Sequence, residues 1–276
     1  MHESYLHYRG RRWLGIALGV SAAAVVAYAL TPPAARRGSS PVGLVLGVAA
    51  AALMLWLTWL GVRKRRYGAA GAPLRGWVSA HVYLGTTLVL LIPLHAAFHF
   101  AANVHALAAA LAGLTVVSGA VGVACYAALP ERMTRNRPGE RLAALFEQVG
   151  AVDAECAAVA AGLPTAVAAA VGRSITATRI GGGPLRQLAG ADPTVPTRRA
   201  LDAVRSAQEA PPDRDAADAL VRLRAGLTTK QALLRRIAVD VRLKALLDAW
   251  LVVHVPLAVA SLAALGVHVF AVLYYR

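Results

Sequence analysis

Two cysteines occur in 276 residues, Cys125 and Cys156. They are too few and too far apart for a disulfide framework or a zinc cluster. No C-x-x-C-H occurs, so covalent attachment of a c-type haem is excluded. Cys125 reads as packed within an apolar span and Cys156 as a small residue in an Ala-rich helix. Charge is scarce as well: Asp, Glu, Lys and Arg make up 16% of the chain, against about a quarter in soluble domains. Acidic residues are the scarcest, 14 against 29 Lys and Arg, leaving a formal charge of +15. No aromatic-interleaved basic face or recognition motif accompanies that charge, so nucleic acid is not an expected partner. The Gly-Gly-Gly at 181–183 lacks a following Lys-Ser/Thr, which argues against a phosphate loop.

What is present is apolar. Hydrophobic residues make up 58% and mean hydropathy is +0.54. Five apolar runs are long enough to cross a hydrocarbon core of about 30 Å: roughly 13–31, 42–62, 77–100, 105–128 and 246–275. The chain reads as an all-α integral membrane protein. Three parts follow: 1–129 with four spans, a charged helical insertion over 130–245, and 246–276 with the fifth span. Arg9, Arg11 and Arg12 precede the first span, and Arg63, Lys64, Arg65, Arg66 and Arg75 lie between the second and third. The opposite side has Arg36, Arg37 and Arg276. The positive-inside rule places the N-terminus, the 63–76 loop and the insertion in the cytoplasm and the C-terminus outside. Trp13, Trp59, Trp77 and Trp250 sit near the expected cytoplasmic ends. The first run is long for a signal peptide and reads as an uncleaved helix.

The insertion carries 18 basic and 12 acidic residues and no histidine. Leu142, Leu145, Phe146 and Val149 are spaced as one helical face. The stretch 180–196 is a Gly/Pro-rich break. A helical pattern resumes at Asp213, breaks at Gly226, and restarts with Thr228-x-x-Gln231 as a capping box. The insertion shows no catalytic constellation; its charge suits an anionic membrane surface or a docked partner.

Histidine carries the functional signal, because imidazole within hydrocarbon is costly and marks a site by default. His2 and His7 lie at the N-terminus. The third span holds His81 and His95, and the fifth holds His254 and His268; both pairs are 14 residues apart. Fourteen residues make about 3.9 turns, so each pair shares a face, offset by about 40° and separated by roughly 21 Å along the axis. One ion cannot be shared over that distance. Two centres can, each held between one histidine of either span, as bis-imidazole ligation of haem iron requires. The third and fifth spans run parallel, which pairs His81 with His254 and His95 with His268. Antiparallel spans would force the opposite pairing.

Small residues permit close backbone approach: Gly85, Ser261 and Gly266 flank the histidines, Ser118–Gly122 lies in the fourth span, and Gly43 and Gly47 in the second. Pro93 and Pro256 each stand two residues from a histidine. His99, one turn beyond His95, and His105 suit a propionate, a quinone headgroup, a proton relay or a plain interfacial role.

The paired histidines, with "WVSAHVYLGTTLVLLIPLHAAFHF", "VVSGAVG", "LPERMT" and "WLVVHVPLAVASLAALGVHVF", resemble the diheme cytochrome b of quinol–cytochrome c oxidoreductases, cytochrome b/b6-type membrane domains and small bacterial cytochrome b-like proteins. The resemblance covers the last four spans, which would form a haem-binding four-helix bundle with the first span as an extra. It implies electron transfer across the membrane through two non-covalent b haems, with His81, His95, His254 and His268 as axial ligands. Two imidazoles saturate each iron, which disfavours oxygen chemistry. The chain departs from the larger oxidoreductases in its long insertion and in lacking their Pro-Glu-Trp-Tyr segment. Expected partners are redox-chain subunits, a cytochrome or iron–sulfur protein, and membrane quinone, the chain being an electron-transfer protein or an oxidoreductase subunit. A rival reading is a metal transporter or metal-binding permease using His95, His99 and His105; a third is an anchor presenting the insertion.

Overall fold

The computed structural model describes residues 7–65, 74–100, 103–137 and 139–274. His2, Arg276 and the stretch 66–73 of the basic connection lie outside them. Apart from one 3₁₀ turn, Pro33–Ala35, every regular element described is an α-helix: α1 Arg12–Leu30, α2 Pro41–Arg65, α3 Leu74–His95, α4 Val104–Asn136, α5 Leu142–Ala160, α6 Thr165–Ala177, α7 Pro184–Leu188, α8 Val195–Glu209 and α9 Arg214–Tyr274. Five of them, α1 to α4 and α9, are long and apolar enough to cross a membrane. A helix satisfies its own backbone polar groups, which hydrocarbon cannot do for it. Their outward faces are apolar, with Val45, Val252 and Leu273 exposed to 67%, 72% and 71%; such surface suits lipid better than water.

The chain divides into two compact units, one of residues 1–124 with 250–276 and the other of 125–249, the divisions falling within α4 and α9. In the first unit α1 and α2 both pack on α3. The shared core comprises Ala24, Leu46, Ala50, Leu57, Leu88, Leu91 and Leu94. α3 ends at His95, short of the Phe100 expected from the apolar run. Ala97 and Phe98 take left-handed φ values of 50° and 60°, and the Phe98 amide turns back to donate to the Pro93 carbonyl at 3.0 Å. That wrap-around bond closes the helix much as a C-terminal cap does. His99 therefore lies beyond α3 and does not share a helical face with His95, as the sequence pattern led us to expect.

In the second unit, α5, α6, α8 and the first part of α9 enclose Cys156, Val167, Val171, Val204, Leu220 and Leu227. Leu145, Val149, Leu234 and Ile237 form an adjoining cluster. Phe146 departs from expectation and is 43% exposed. Asp213 starts α9 by accepting the Ala216 amide at 2.7 Å.

The expected break at Gly226 is absent, and α9 runs 61 residues without interruption. A Cβ at Gly226 would lie 2.7 Å from the Cys156 Sγ, so this glycine lets α5 and α9 approach closely. Its helical penalty of about 1 kcal/mol is offset by that packing. Thr228 does not cap a helix; its hydroxyl donates back to the Arg224 carbonyl at 2.8 Å. Burial and the neighbouring Asp153 raise the Cys156 thiol above its ordinary range, which keeps it protonated and unreactive.

Nothing in the sequence pattern marks Lys230, which is fully buried. Its ammonium reaches Asp153 Oδ1 at 2.6 Å, the Ser174 carbonyl at 3.0 Å and the Ser174 hydroxyl at 3.1 Å. All three of its donors are thereby used.

Candidate functional site

The four histidines of the 14-residue intervals all lie in the first unit, and all four have Nδ1 engaged. On α3, the His81 Nδ1–H donates to the Leu57 carbonyl at 3.0 Å and that of His95 to the Gly43 carbonyl at 2.8 Å. Both acceptors belong to α2, and they too stand 14 residues apart. A carbonyl only accepts, so both rings carry their proton on Nδ1 and leave the Nε2 lone pair available. Gly47 makes room for this: a Cβ there would lie 2.6 Å from His95 Cε1 and 2.7 Å from Nδ1. Gly47 thus serves the imidazole itself, by letting the ring reach the α2 backbone, whereas the missing side chain of Gly43 leaves room for the Arg37 and Gly38 backbone.

On α9 the supporting helix is α4. The Ser118 hydroxyl donates to the Thr115 carbonyl at 2.9 Å. Its oxygen is left to accept from the His254 Nδ1–H at 2.7 Å, and this ring too is fixed with Nε2 open. Trp250 braces it from one side. The indole stacks on His254 with centroids 5.0 Å apart and donates Nε1–H to the Ser118 carbonyl at 2.7 Å. A Cβ at Gly122 would lie 2.2 Å from that indole, and one at Gly119 would lie 3.5 Å from His254 Cε1. The small residues of "SGAVG" therefore seat two rings. Ser261 is buried and shares a 2.7 Å hydrogen bond with Thr115. Gly85 has only the Leu57 methyl nearby, at 3.9 Å, and Gly266 has nothing within 4 Å of an added Cβ.

Two of the four rings meet directly. His95 and His268 have centroids 6.1 Å apart and planes at 83°. The His268 Nδ1 lies 2.5 Å from the His105 Nδ1, one of the two donating. His95, His99, His105 and His268 line one cavity of about 940 Å³, walled otherwise by small and aliphatic residues such as Gly47, Ala109 and Ala112. His99 itself donates from Nδ1 to the Ala97 carbonyl at 2.7 Å. Among the described residues no group of three or more His, Cys, Asp or Glu is gathered as a metal site.

Sequence reasoning named the four histidines and the small residues around them. It missed Trp250, read only as an interfacial anchor, and Leu57, and it named Gly43 and Ser118 as small residues without their role as acceptors. A Trp four residues before His254, on the same helical face, is the one signal that was available.

The spacing of His95 and His268 can be set against that of two imidazoles on one metal. Metal–imidazole bonds are about 2 Å long for zinc, and two such bonds with the radii of two rings span roughly 6 Å between centroids. The observed spacing of His95 and His268 is 6.1 Å. Ligating histidines characteristically donate their other N–H to a carbonyl or similar acceptor, which fixes the ring and raises its basicity. No protein-family model, curated protein or solved structure matches this chain.

Proposed function

We propose that the chain is a diheme b-type membrane cytochrome that carries electrons across the membrane. The observation that supports this most is the state of the four rings. Each has Nδ1 committed to a hydrogen bond, which leaves Nε2 to ligate wherever Nδ1 is the donor, and His95 and His268 are spaced for a shared metal. His81 and His254 would hold one haem, and His95 and His268 the other. Bound there, the haems would supply reversible one-electron chemistry.

The protein's own part is to hold ligands and exclude water. α2 orients the two α3 rings through Leu57 and Gly43, and α4 orients the α9 rings through Ser118 and His105. In this reading α2, α3, α4 and the end of α9 form the haem-binding four-helix bundle, and α1 lies against α3. With His268 ligating through Nε2, its Nδ1–H donates to His105, whose own proton then sits on Nε2. His99 and His105 lie within the wall of the His95/His268 cavity, where propionates or a quinone headgroup would find hydrogen-bond partners. In this reading the second unit faces the cytoplasm from a bacterial inner membrane, which the Lys/Arg distribution supports, with redox-chain subunits and membrane quinone as partners.

The purified protein is expected to carry two protoporphyrin haems per chain, all extractable with acid–acetone because no thioether link is possible. A redox difference spectrum with a haem-to-protein ratio near zero would overturn the reading. The seat of one ring gives a narrower test. Gly47→Val places carbon atoms where the His95 imidazole lies, so the ring must leave Gly43. The haem ratio should fall from two towards one while helix content by circular dichroism stays unchanged.

A further inference from the structure

The second unit holds a separate cavity of about 370 Å³ whose wall carries four arginines, Arg179, Arg186, Arg235 and Arg242, and one acid, Asp192. Two local features bring the arginines together. On α9, Arg235, Ala238, Val239 and Arg242 follow the i, i+3, i+4, i+7 pattern that lines one helical face. Arg179 and Arg186 flank the glycine turn, where Gly181 and Gly182 hold φ of +87° and +105°. Residues with a side chain rarely adopt those values. Gly190, at φ +67°, closes the far side, and a Cβ there would lie 3.5 Å from the Arg242 guanidinium.

The charge on this wall is unbalanced. Some arginines elsewhere in the unit have acidic partners, as Arg137 has in Asp240, Arg236 in Glu140 and Arg198 in Asp192. Among the described residues none of the four cavity arginines has a carboxylate within ion-pair distance. Asp192 is already engaged, accepting the Thr194 amide at 2.8 Å and hydroxyl at 2.7 Å and pairing with Arg198 at 3.2 Å. Those Thr194 bonds, helped by Arg198 and Arg235, hold its carboxyl below the usual carboxylate range. Like charges around one concavity repel until an anion enters, and planar guanidinium forks match phosphoryl oxygens in geometry and charge.

We propose that this cavity binds a phosphate monoester, its oxygens accepting hydrogen bonds from Arg179, Arg186, Arg235 and Arg242. The group belongs either to a small soluble phosphate ester or to the headgroup of a phosphomonoester lipid. The inference uses only the second unit and stands apart from the haem reading.

The test is a calorimetric titration of the full chain in an uncharged maltoside detergent. The probes are glycerol 3-phosphate, dioctanoyl phosphatidic acid and, as a phosphodiester control, dioctanoyl phosphatidylcholine. Saturable binding of glycerol 3-phosphate points to the soluble source. Binding of phosphatidic acid alone points to the lipid, and both results support the site. Arg235→Gln on α9 and Arg186→Gln on the opposite wall should each weaken binding roughly tenfold or more, the scale of one charge-assisted hydrogen bond. Arg205→Gln, on α8 outside the cavity, should leave affinity unchanged. Melting temperatures equal to the parent's establish that the variants are folded. The proposal is overturned if neither phosphomonoester binds saturably, if phosphatidylcholine binds as well as phosphatidic acid, or if binding survives both cavity variants. A single-stranded RNA oligonucleotide that binds more tightly than either probe and loses affinity in the same variants would also overturn it, in favour of nucleic acid.

Discussion

His95→Gln and His268→Gln are expected to delete the same component of the redox difference spectrum, about half the haem, and His81→Gln and His254→Gln the other half. The parallel run of the third and fifth spans and the 6.1 Å approach of His95 to His268 both lead to this pairing. Equal spectra from His81→Gln and His268→Gln would overturn it. The functional readout is stronger still. In the proposed reading, two centres roughly 21 Å apart along the helix axes would make a path whose conduction needs both. In sealed vesicles containing a trapped reductant, the parent should reduce an impermeant external acceptor. A chain with both His95 and His268 replaced should not, even with its other haem spectrally intact. Full-rate conduction by that chain would remove the basis for the two-centre path.

Lys230→Met should be among the most damaging single changes in the second unit. It leaves the Asp153 carboxylate and the Ser174 carbonyl without the cation that bridges them. Breaking a buried ion pair by removing one partner costs about 3–5 kcal/mol, a large share of the 5–15 kcal/mol that stabilises a typical domain. Thermal or urea unfolding of the full chain, followed by circular dichroism, should show the loss as an early transition. Replacing both charges, Lys230→Met with Asp153→Leu, should recover much of it, because the pair's desolvation cost disappears with it. A Lys230→Met chain within 1 kcal/mol of the parent, a margin typical of exposed pairs, would show that the buried cluster contributes little.

The five apolar helices and the equal histidine intervals were legible in the sequence because both are periodic, and period survives without knowledge of packing. Trp250 was half legible: its place near an apolar boundary suggested an interfacial role and concealed its stacking on His254. Leu57 and Gly43 were not legible as acceptors, since each acts through a backbone carbonyl that every residue possesses. Gly226 misled because glycine's helical penalty is local and visible, while the Cys156 side chain that offsets it lies 70 positions away. Phe146 fitted the amphipathic spacing yet lies exposed, as periodicity alone does not decide where a buried face ends. The end of α3 was missed for a similar reason: Ala97 and Phe98 are not residues that announce a left-handed turn.

The matched intervals on α2 and α3 work as a ruler read twice. Leu57 and Gly43 mark off on one helix the distance that His81 and His95 mark off on the other, so one register satisfies both hydrogen bonds. Deleting a single residue of α2 between the two marks would rotate one acceptor by about 100° and shift it by about 1.5 Å relative to the other. No sliding of α3 could restore both readings, so one imidazole would lose its anchor and swing while the other stayed in place. A substitution of the same residue keeps the count. Along this stretch of α2 the chain should therefore tolerate changes of side chain far better than changes of length.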